Sequence, residues 1–568
     1  DQDGITVENS TVNAATVTGT NYSFQTELTI TSISPTSGPV GTLVTVTGTH
    51  LDNPTSLRIA GAQALEVSND GTTLVGFVMP GATTGTVDVT TAADSVSSAE
   101  SFTVTTPSSA SFAQIGNDID GEATQDRSGG SVSLSADGQT LAIGADLNDG
   151  NGTDAGHVRV YENTGGTWAQ IGNDIDGEAA NDNSGWSVSL SADGQTLAIG
   201  AITNDGNGTD AGHVRVYENT GGTWTQIGND IDGEATNDQS GWSVSLSADG
   251  QTLAIGAPGN DGTGTAAGHV RVYENTGGTW AQIGSDIDGE AETDLLGSSV
   301  SLSADGQTLA IGAITNDGNG TDAGHVRVYE NLGGVWLQVG NDIDGEATND
   351  QSGWSVSLSA DGQTLAIGAY LNDGAGDAAG HVRVYENTGG SWLQVGNDID
   401  GEAADDWSGW SVSLSADGQT LAIGAITNDG NGTDAGHVRV YENTGGSWTQ
   451  IGSDIDGEAA GDQSGFSVNL SADGQTLAIG AIFNDDNGTD AGHVRVFELQ
   501  ELPAVTLTQT TNGIAPSPLT ASSTDQAVLG IGLVADGAST LTGLSFTASV
   551  DPTSPEALLT NFRLFSSA

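Results

Sequence analysis

Ser187-Val188-Ser189-Leu190-Ser191-Ala192-Asp193-Gly194-Gln195-Thr196-Leu197-Ala198-Ile199-Gly200-Ala201 is the stretch that decides the fold. The same fifteen residues begin at Ser131, Ser243, Ser299, Ser355 and Ser411, and a seventh copy, with Asn469 replacing one serine, begins at Ser467. The interval is 56 residues each time, without insertion. A fixed period of this length means one supersecondary unit that buries its apolar face only against its neighbours. Trp186, Val188 and Leu190 alternate with Ser187 and Ser189, a period of two that places the apolar side chains on one face of a strand. Ala192-Asp193-Gly194-Gln195 is a tight hairpin turn, with Gly194 supplying the positive φ, and it leads into a second strand at Thr196–Ala201.

Outward from this hairpin, His213–Glu218 and Thr223–Gly228 read as third and fourth strands joined by Asn219-Thr220-Gly221-Gly222. The other two connections of the unit are longer and acidic. Four strands in such a period predict an all-β chain with a seven-bladed β-propeller of four-stranded blades. The strand count predicts its closure. The fourth-strand motif appears first, as Ser111-Phe112-Ala113-Gln114-Ile115-Gly116, and the array stops after a third strand at His493–Glu498. Strand 111–116 is therefore expected to complete the last blade and leave no open edge. An open superhelix of the same repeats is the alternative.

The flanks differ in kind. Ile33-Ser34-Pro35-Thr36-Ser37-Gly38-Pro39-Val40-Gly41-Thr42, then Val44-Thr45-Val46-Thr47-Gly48, Met79-Pro80-Gly81 and Ser101-Phe102-Thr103-Val104 resemble the immunoglobulin-like IPT/TIG domain, a small β-sandwich. That resemblance implies a spacer or adhesion module. The domain organisation expected is an N-terminal strand or linker at 1–27, an IPT/TIG-like sandwich at 28–105, the propeller at 106–500 and a partial C-terminal β-sandwich at 501–568. The native chain is expected to continue past 568 and to have been trimmed before Asp1.

Composition restricts function. There are 74 acidic residues against 10 basic ones, all arginine, for a net charge of -64. Such a chain repels nucleic acid and anionic membranes and favours divalent cations or high salt. Lysine is absent, which excludes Schiff-base and lysine general-base chemistry, and cysteine is absent, which excludes disulfides and thiolate metal sites. No stretch approaches the ~20 apolar residues of a membrane span.

Ser184-Gly185-Trp186 and Ser464-Gly465-Phe466, with Gly256-Ala257-Pro258, make the repeat region resemble the FG-GAP repeats of integrin α-type propellers. At the proline position the other units carry Asp146, Ile202, Ile314, Tyr370, Ile426 and Ile482. The family's calcium loop lies between the first two strands of a blade, where this chain has only the Ala-Asp-Gly-Gln turn. That site does not transfer.

Another loop supplies carboxylates. Each unit has Asp-Ile-Asp-Gly-Glu with an Asp four residues later: Asp118, Asp120, Glu122 and Asp126; Asp174, Asp176, Glu178 and Asp182; Asp230, Asp232, Glu234 and Asp238; Asp286, Asp288, Glu290 and Asp294; Asp342, Asp344, Glu346 and Asp350; Asp398, Asp400, Glu402 and Asp406; Asp454, Asp456, Glu458 and Asp462. Positions 1, 3, 5 and 9 of a tight loop suit the oxygen ligands of Ca2+, although glycine sits at position 4 where an EF-hand has it at position 6. The alternative is an acidic turn that caps the next blade through carboxylate-to-backbone hydrogen bonds. A second acidic loop, Asn204-Asp205-Gly206-Asn207-Gly208-Thr209-Asp210, keeps only its Asn-Asp start in all seven units. Antiparallel topology sends both loops to one side of the disc.

His213, Arg215 and Tyr217 share a strand face. The arginine is expected to form a bidentate pair with a carboxylate. His213 is expected to be hydrogen-bonding scaffold, and Trp224 interblade packing. Ser, His and Asp recur identically in every unit, so no single asymmetric constellation for catalysis is visible, and none of the arginines forms the triad of a sialidase. The reading is an extracellular, secreted or cell-surface adhesion protein with no catalytic role, which binds Ca2+ and a surface protein or glycan. Alternatives are a filament or sheath subunit assembled with neighbouring copies through terminal strands, and, last, a glycan-acting enzyme.

Overall fold

The computed structural model describes residues 28–501 except 39–41, 53, 80–81, 83, 93 and 105–109, together with Thr506–Leu507 and Leu519–Thr520. The strands expected in 1–27, and the C-terminal sandwich apart from the pairing of those two short strands, lie outside the described residues. All regular elements among the described residues are strands, and no helix is long and apolar enough to cross a membrane. The chain divides into a repeat unit, Ser108–Leu502, and the flanking residues.

In the N-terminal flank, Thr29–Ser34, Leu43–Thr49, Thr73–Phe77 and Leu65–Asn69 form one sheet. Ser37–Gly38, Ser95–Val104, Gly85–Thr90, Ser56–Ile59 and Ala62–Gln63 form the other. Val44, Val46, Leu57, Ile59, Leu74, Val87, Val89 and Phe102 make a single buried core.

The repeat region folds into seven sheets of one design. In one of them Ser184–Leu190, Thr196–Ala201, His213–Asn219 and Trp224–Gln226 lie side by side, each antiparallel to the next. The chain then breaks at Gly228, with φ 80°, and returns as Ile231–Asp232, which pairs with the third strand through His213↔Asp232. The loop expected to wrap a cation therefore begins as extended, hydrogen-bonded strand. Apolar residues from two successive units share each core: Val158, Val160 and Ile175 meet Leu190, Leu197, Ile199 and Tyr217. Full burial of each such aliphatic side chain contributes about 1.5–3 kcal/mol, so no sheet is stable without the next.

Polar contacts set the spacing between sheets. The Ala192 N–H donates to the Ala248 carbonyl at 2.9 Å, and the same bond runs from Ala248 to Ala304, Ala304 to Ala360, Ala360 to Ala416, Ala416 to Ala472 and Ala136 to Ala192. Ala472 donates to Ala136 at 2.9 Å, which returns the series to its start. Ser187 Oγ donates to the Gly241 carbonyl at 2.7 Å, and Ser467 Oγ donates to that of Gly129 at the same distance. The Leu190 N–H reaches Ser133 Oγ, while Leu134 reaches the amide oxygen of Asn469, the substituted serine. A Cβ on Gly200 would lie 2.1 Å from the Gly241 carbonyl oxygen, so only glycine permits this approach. The Asp turn is equally structural: Asp193 Oδ1 accepts from Ser191 Oγ and the Gln195 N–H.

Ala110–Gln114 pairs antiparallel with His493–Glu501, with Phe112 opposite Leu499. Ile119–Asp120 follows on Val494 and His493. Phe112 occupies the place of Trp168 in the next unit and packs against the cluster of Val438, Leu477 and Phe497. Phe112→Ala should lower stability by about 1–3 kcal/mol, because the side chain is half-buried and closes the last sheet. Leu337→Ala, at an exposed site on the same type of strand, should shift it by under about 0.5 kcal/mol. Urea denaturation followed by tryptophan fluorescence measures both.

Candidate functional site: the acidic rim and its aromatic sector

Both acidic loops lie at the same end of the sheets, and they are bonded to each other. Asn204 Nδ2 donates to Asp182 Oδ2 at 3.1 Å, and Asn207 Nδ2 donates to the Gly233 carbonyl at 2.8 Å. Asn204 Oδ1 accepts from the Gly206 N–H, and Asp205 Oδ1 accepts from that of Asp210. This explains why the Asn-Asp start persists in every unit.

The four carboxylates of one loop do different work. The last of the set is consumed inside the protein. Asp238 is 2 % exposed, and its Oδ2 accepts from the Glu234 and Ala235 N–H groups and from Asn260 Nδ2. Asp126, Asp182, Asp294, Asp350, Asp406 and Asp462 are buried likewise and cap the same turn. The capping alternative thus describes this position, and its seven carboxylates leave the set of open ligands. Asp230 Oδ1 accepts from Gln226 Nε2, and Asp232 is exposed on the short strand.

The groups that do converge cross from one unit to the next. Glu178, His213 and Asp230 each present an atom within 4.8 Å of the others, as do Glu122, His157 and Asp174; Glu234, His269 and Asp286; and Glu290, His325 and Asp342. Ile175–Asp176 pairs as extended strand with Val158 and His157, and Glu178 just after it meets His213 on the third strand of the following unit. His213 is 1 % exposed, and burial, with Arg215 adding to it, lowers its pKa to about 4. It is a neutral imidazole at pH 7. Its Nε2 has no hydrogen-bond partner among the described residues.

Arg215 departs from expectation. Nη2 donates to the Asp176 carbonyl at 2.7 Å, while Nη1 lies 3.8 Å from Glu178 Oε1. The pair is not bidentate: backbone, not carboxylate, takes the short bond. The guanidinium also sits 5.6 Å from the Tyr217 ring centroid. Trp224 Nε1 donates to the Ile171 carbonyl of the preceding unit at 3.3 Å, in accord with its packing role.

Sevenfold repetition breaks at the start of the first strands. Trp186 and Trp242, 56 residues apart, have ring centroids 4.9 Å apart. Trp354 and Trp410 are 4.7 Å apart, and Trp410 and Phe466 5.5 Å. Equivalent side chains meet only where successive sheets converge, which identifies the first strand as the inner one. Two residues unique to their units join this group: Tyr370 packs on Trp354 and Trp410, and Trp407 stacks on Trp410 at 5.9 Å and 16°. All five aromatics from Trp354 to Phe466 remain half-buried. Trp407 holds φ 55°, a left-handed conformation uncommon for a bulky residue.

Elsewhere on the inner rim the corresponding residues are Gly130 and Ser298. Beside Gly130 lies Asp146, 6 % exposed, whose pKa burial raises to about 6 against the opposing effect of Arg127. The Arg127 guanidinium lies 5.4 Å from the Phe483 ring centroid. The inner ends of the first strands are therefore unequal despite the near-identical repeats. The signal was in the residues that depart from the repeat, Asp146, Tyr370, Trp407 and Phe466.

Residues 28–106 match the IPT/TIG domain, and 175–217, 231–273, 286–329, 343–385, 399–441 and 454–497 match the FG-GAP repeat. No curated protein matches the chain. Among solved structures it resembles the periplasmic gluconolactonase of Pseudomonas aeruginosa, at 17% identity and TM-score 0.41 over 66% of this chain and 92% of that one. It also resembles an auxiliary nutrient binding protein of Bacteroides thetaiotaomicron, at 9% identity and TM-score 0.38 over 84% and 98%.

Asp146 yields a signed pH effect. Its folded pKa lies above the unfolded value of 3.8, so the folded state binds the extra proton and this contribution is lost as pH rises from about 4 to 6. Asp146→Asn removes the loss. Its stability relative to wild type should rise by about 3 kcal/mol between pH 3.5 and pH 7, read from urea midpoints at both.

Proposed function

We propose that this chain, which carries an IPT/TIG domain and a run of FG-GAP repeats, is an extracellular adhesion or binding protein. In this reading the repeats close as a seven-bladed β-propeller flanked by immunoglobulin-like sandwiches. Its acidic face holds calcium, and its aromatic sector grips a glycan. The return of the Ala472 N–H to Ala136 and the pairing of Ala110–Gln114 with His493–Glu501 support the ring.

The observation that carries the binding role is the aromatic sector of Trp354, Tyr370, Trp407, Trp410 and Phe466 on a carboxylate-rich rim. Half-buried aromatic faces stack on the C–H faces of sugar rings, while carboxylates and the Ca2+ they hold bind the hydroxyls. A core needs no such aromatics at the rim, and five of them cluster on one side. The exposed Asp120, Asp176, Asp232, Asp288, Asp344, Asp400 and Asp456, with the Glu and first Asp of neighbouring loops, are the oxygen ligands left for calcium.

The full chain on an array of cell-surface glycans, with Ca2+ and then with EGTA, tests both parts. Trp410→Ala should weaken retained glycans at least tenfold, and Ca2+ at 100-fold its Kd should raise stability by roughly 2.7 kcal/mol per site. Absence of any glycan signal would remove the ligand assignment. An unchanged melting temperature in Ca2+ would remove the metal.

A further inference from the structure

One junction between units differs from the others. Six units have glycine after Asn-Asp, at Gly150, Gly206, Gly262, Gly318, Gly374 and Gly430, and the last has Asp486. A Cβ on Gly430 would lie 3.2 Å from Asp456 Oδ1, and one on Gly206 3.4 Å from Asp232 Oδ1. The Asp486 side chain therefore grows into acidic space. Its backbone is held as the glycines are, with its N–H donating to Asn484 Oδ1 at 3.0 Å.

Asp118, Glu458, Asp486 and His493 here each offer an atom within 4.8 Å of the others, four groups where the other groups named above have three. His493 is 1 % exposed, and its Nδ1 has no hydrogen-bond partner. That nitrogen is aimed into the cluster, 3.8 Å from Glu458 Oε2. In His213, His269, His325, His381 and His437 the unpartnered buried nitrogen is Nε2. Arg495 faces the other oxygen, Glu458 Oε1, at 3.7 Å, and Gln114 Nε2 donates to Asp118 Oδ1. With a neutral imidazole, one arginine leaves this pocket strongly anionic. Burial lowers the pKa of this imidazole.

We propose that the seam is a site for one divalent transition-metal ion of the zinc class, held by Nδ1 of His493 and one carboxylate oxygen each of Asp118, Glu458 and Asp486. A buried imidazole among four ligands suits zinc, which takes nitrogen and oxygen tetrahedrally at about 2.0–2.2 Å, and not calcium, which takes 6–8 oxygens. Tetrahedral geometry at those lengths holds ligand atoms roughly 3.3 Å apart, so binding draws the four groups together. Asp118 follows the first strand of the repeat region and the other three come from its last two units, so the ion clasps the two ends. The proposal rests on the pairing of Ile119–Asp120 with Val494 and His493, not on calcium binding.

Zinc is titrated into the full chain by calorimetry at pH 7.5, once without Ca2+ and once in excess Ca2+; the Ca2+-free titration decides the assignment, because the calcium reading also uses Asp118 and Glu458, and the second titration reads that competition separately. One equivalent should bind at least tenfold more tightly than the rest and raise the melting temperature. Asp486→Gly restores the residue its six counterparts carry and should lose that equivalent while keeping the metal-free melting temperature. Co2+ should give intense visible bands of tetrahedral coordination in wild type and not in the variant. Equal tight binding in Asp486→Gly, no tight equivalent in wild type, or weak octahedral cobalt bands would each overturn the assignment.

Discussion

The structure depends on the close approach of one sheet to the next. Gly200 admits the Gly241 carbonyl where any Cβ would collide, and the Ala192–Ala248 bond and the Ser187 hydroxyl fix the same spacing from either side. Because Leu197 and Ile199 share their core with the preceding unit's Val158 and Val160 as well as with Leu190 and Tyr217 of their own, much of the hydrophobic stabilisation is inter-unit. Cooperative folding follows: a unit lacking a neighbour exposes an apolar face and unpaired polar groups together. The near-identity of the units allows one geometry to be repeated up to the last junction, where Asn469, Phe112 and Asp486 depart from the repeat.

Much of this was legible in the sequence. The 56-residue interval, the two-residue alternation and the offset between strand 111–116 and the array's end follow from backbone periodicity, which leaves a mark in any strand. Loop chemistry was less legible. The spacing Asp230, Asp232, Glu234 and Asp238 suits a wrapped loop, but two residues of it pair as strand and Asp238 turns inward to cap. Linear spacing cannot reveal that Glu178 meets His213 and Asp230 of the next unit, since that proximity depends on the rotation between sheets. Repeat identity also masks what is unequal: Asp146, Trp407 and Asp486 matter by not recurring.

Symmetry and specificity pull in opposite directions in such a fold. Seven equal loops give a face seven weak, equal environments, suited to counter-ions and salt-dependent attraction. Discrimination among ligands needs unequal ones. The aromatic sector and the Gly130–Asp146–Arg127 side introduce that inequality at the inner rim, where the sheets converge and one ligand can touch several units at once. Substitutions of Trp354, Trp410 and Phe466 leave the Ala-to-Ala and Ser-to-Gly bonds between sheets untouched, because their side chains make none of these bonds.

Charge then sets how the rim works. Each of the six 56-residue intervals that begin at Ser131 to Ser411 carries one arginine against eight or nine carboxylates, and its histidine is held neutral by burial, so little positive charge offsets the rim. The arginine is committed to the Asp176 carbonyl and the Tyr217 ring. Carboxylates that cap turns are shielded by backbone N–H groups, whereas the exposed ones face each other across unit boundaries. Burial and Asp174 both push the Asp176 carboxyl upward in pKa, the expected response of a carboxylate beside like charge. Such a face is a store of repulsion that any bound cation relieves. If a cation and a ligand bind as proposed, both draw on the same carboxylates and their binding is coupled, most strongly where the aromatics exclude water and lower the local dielectric.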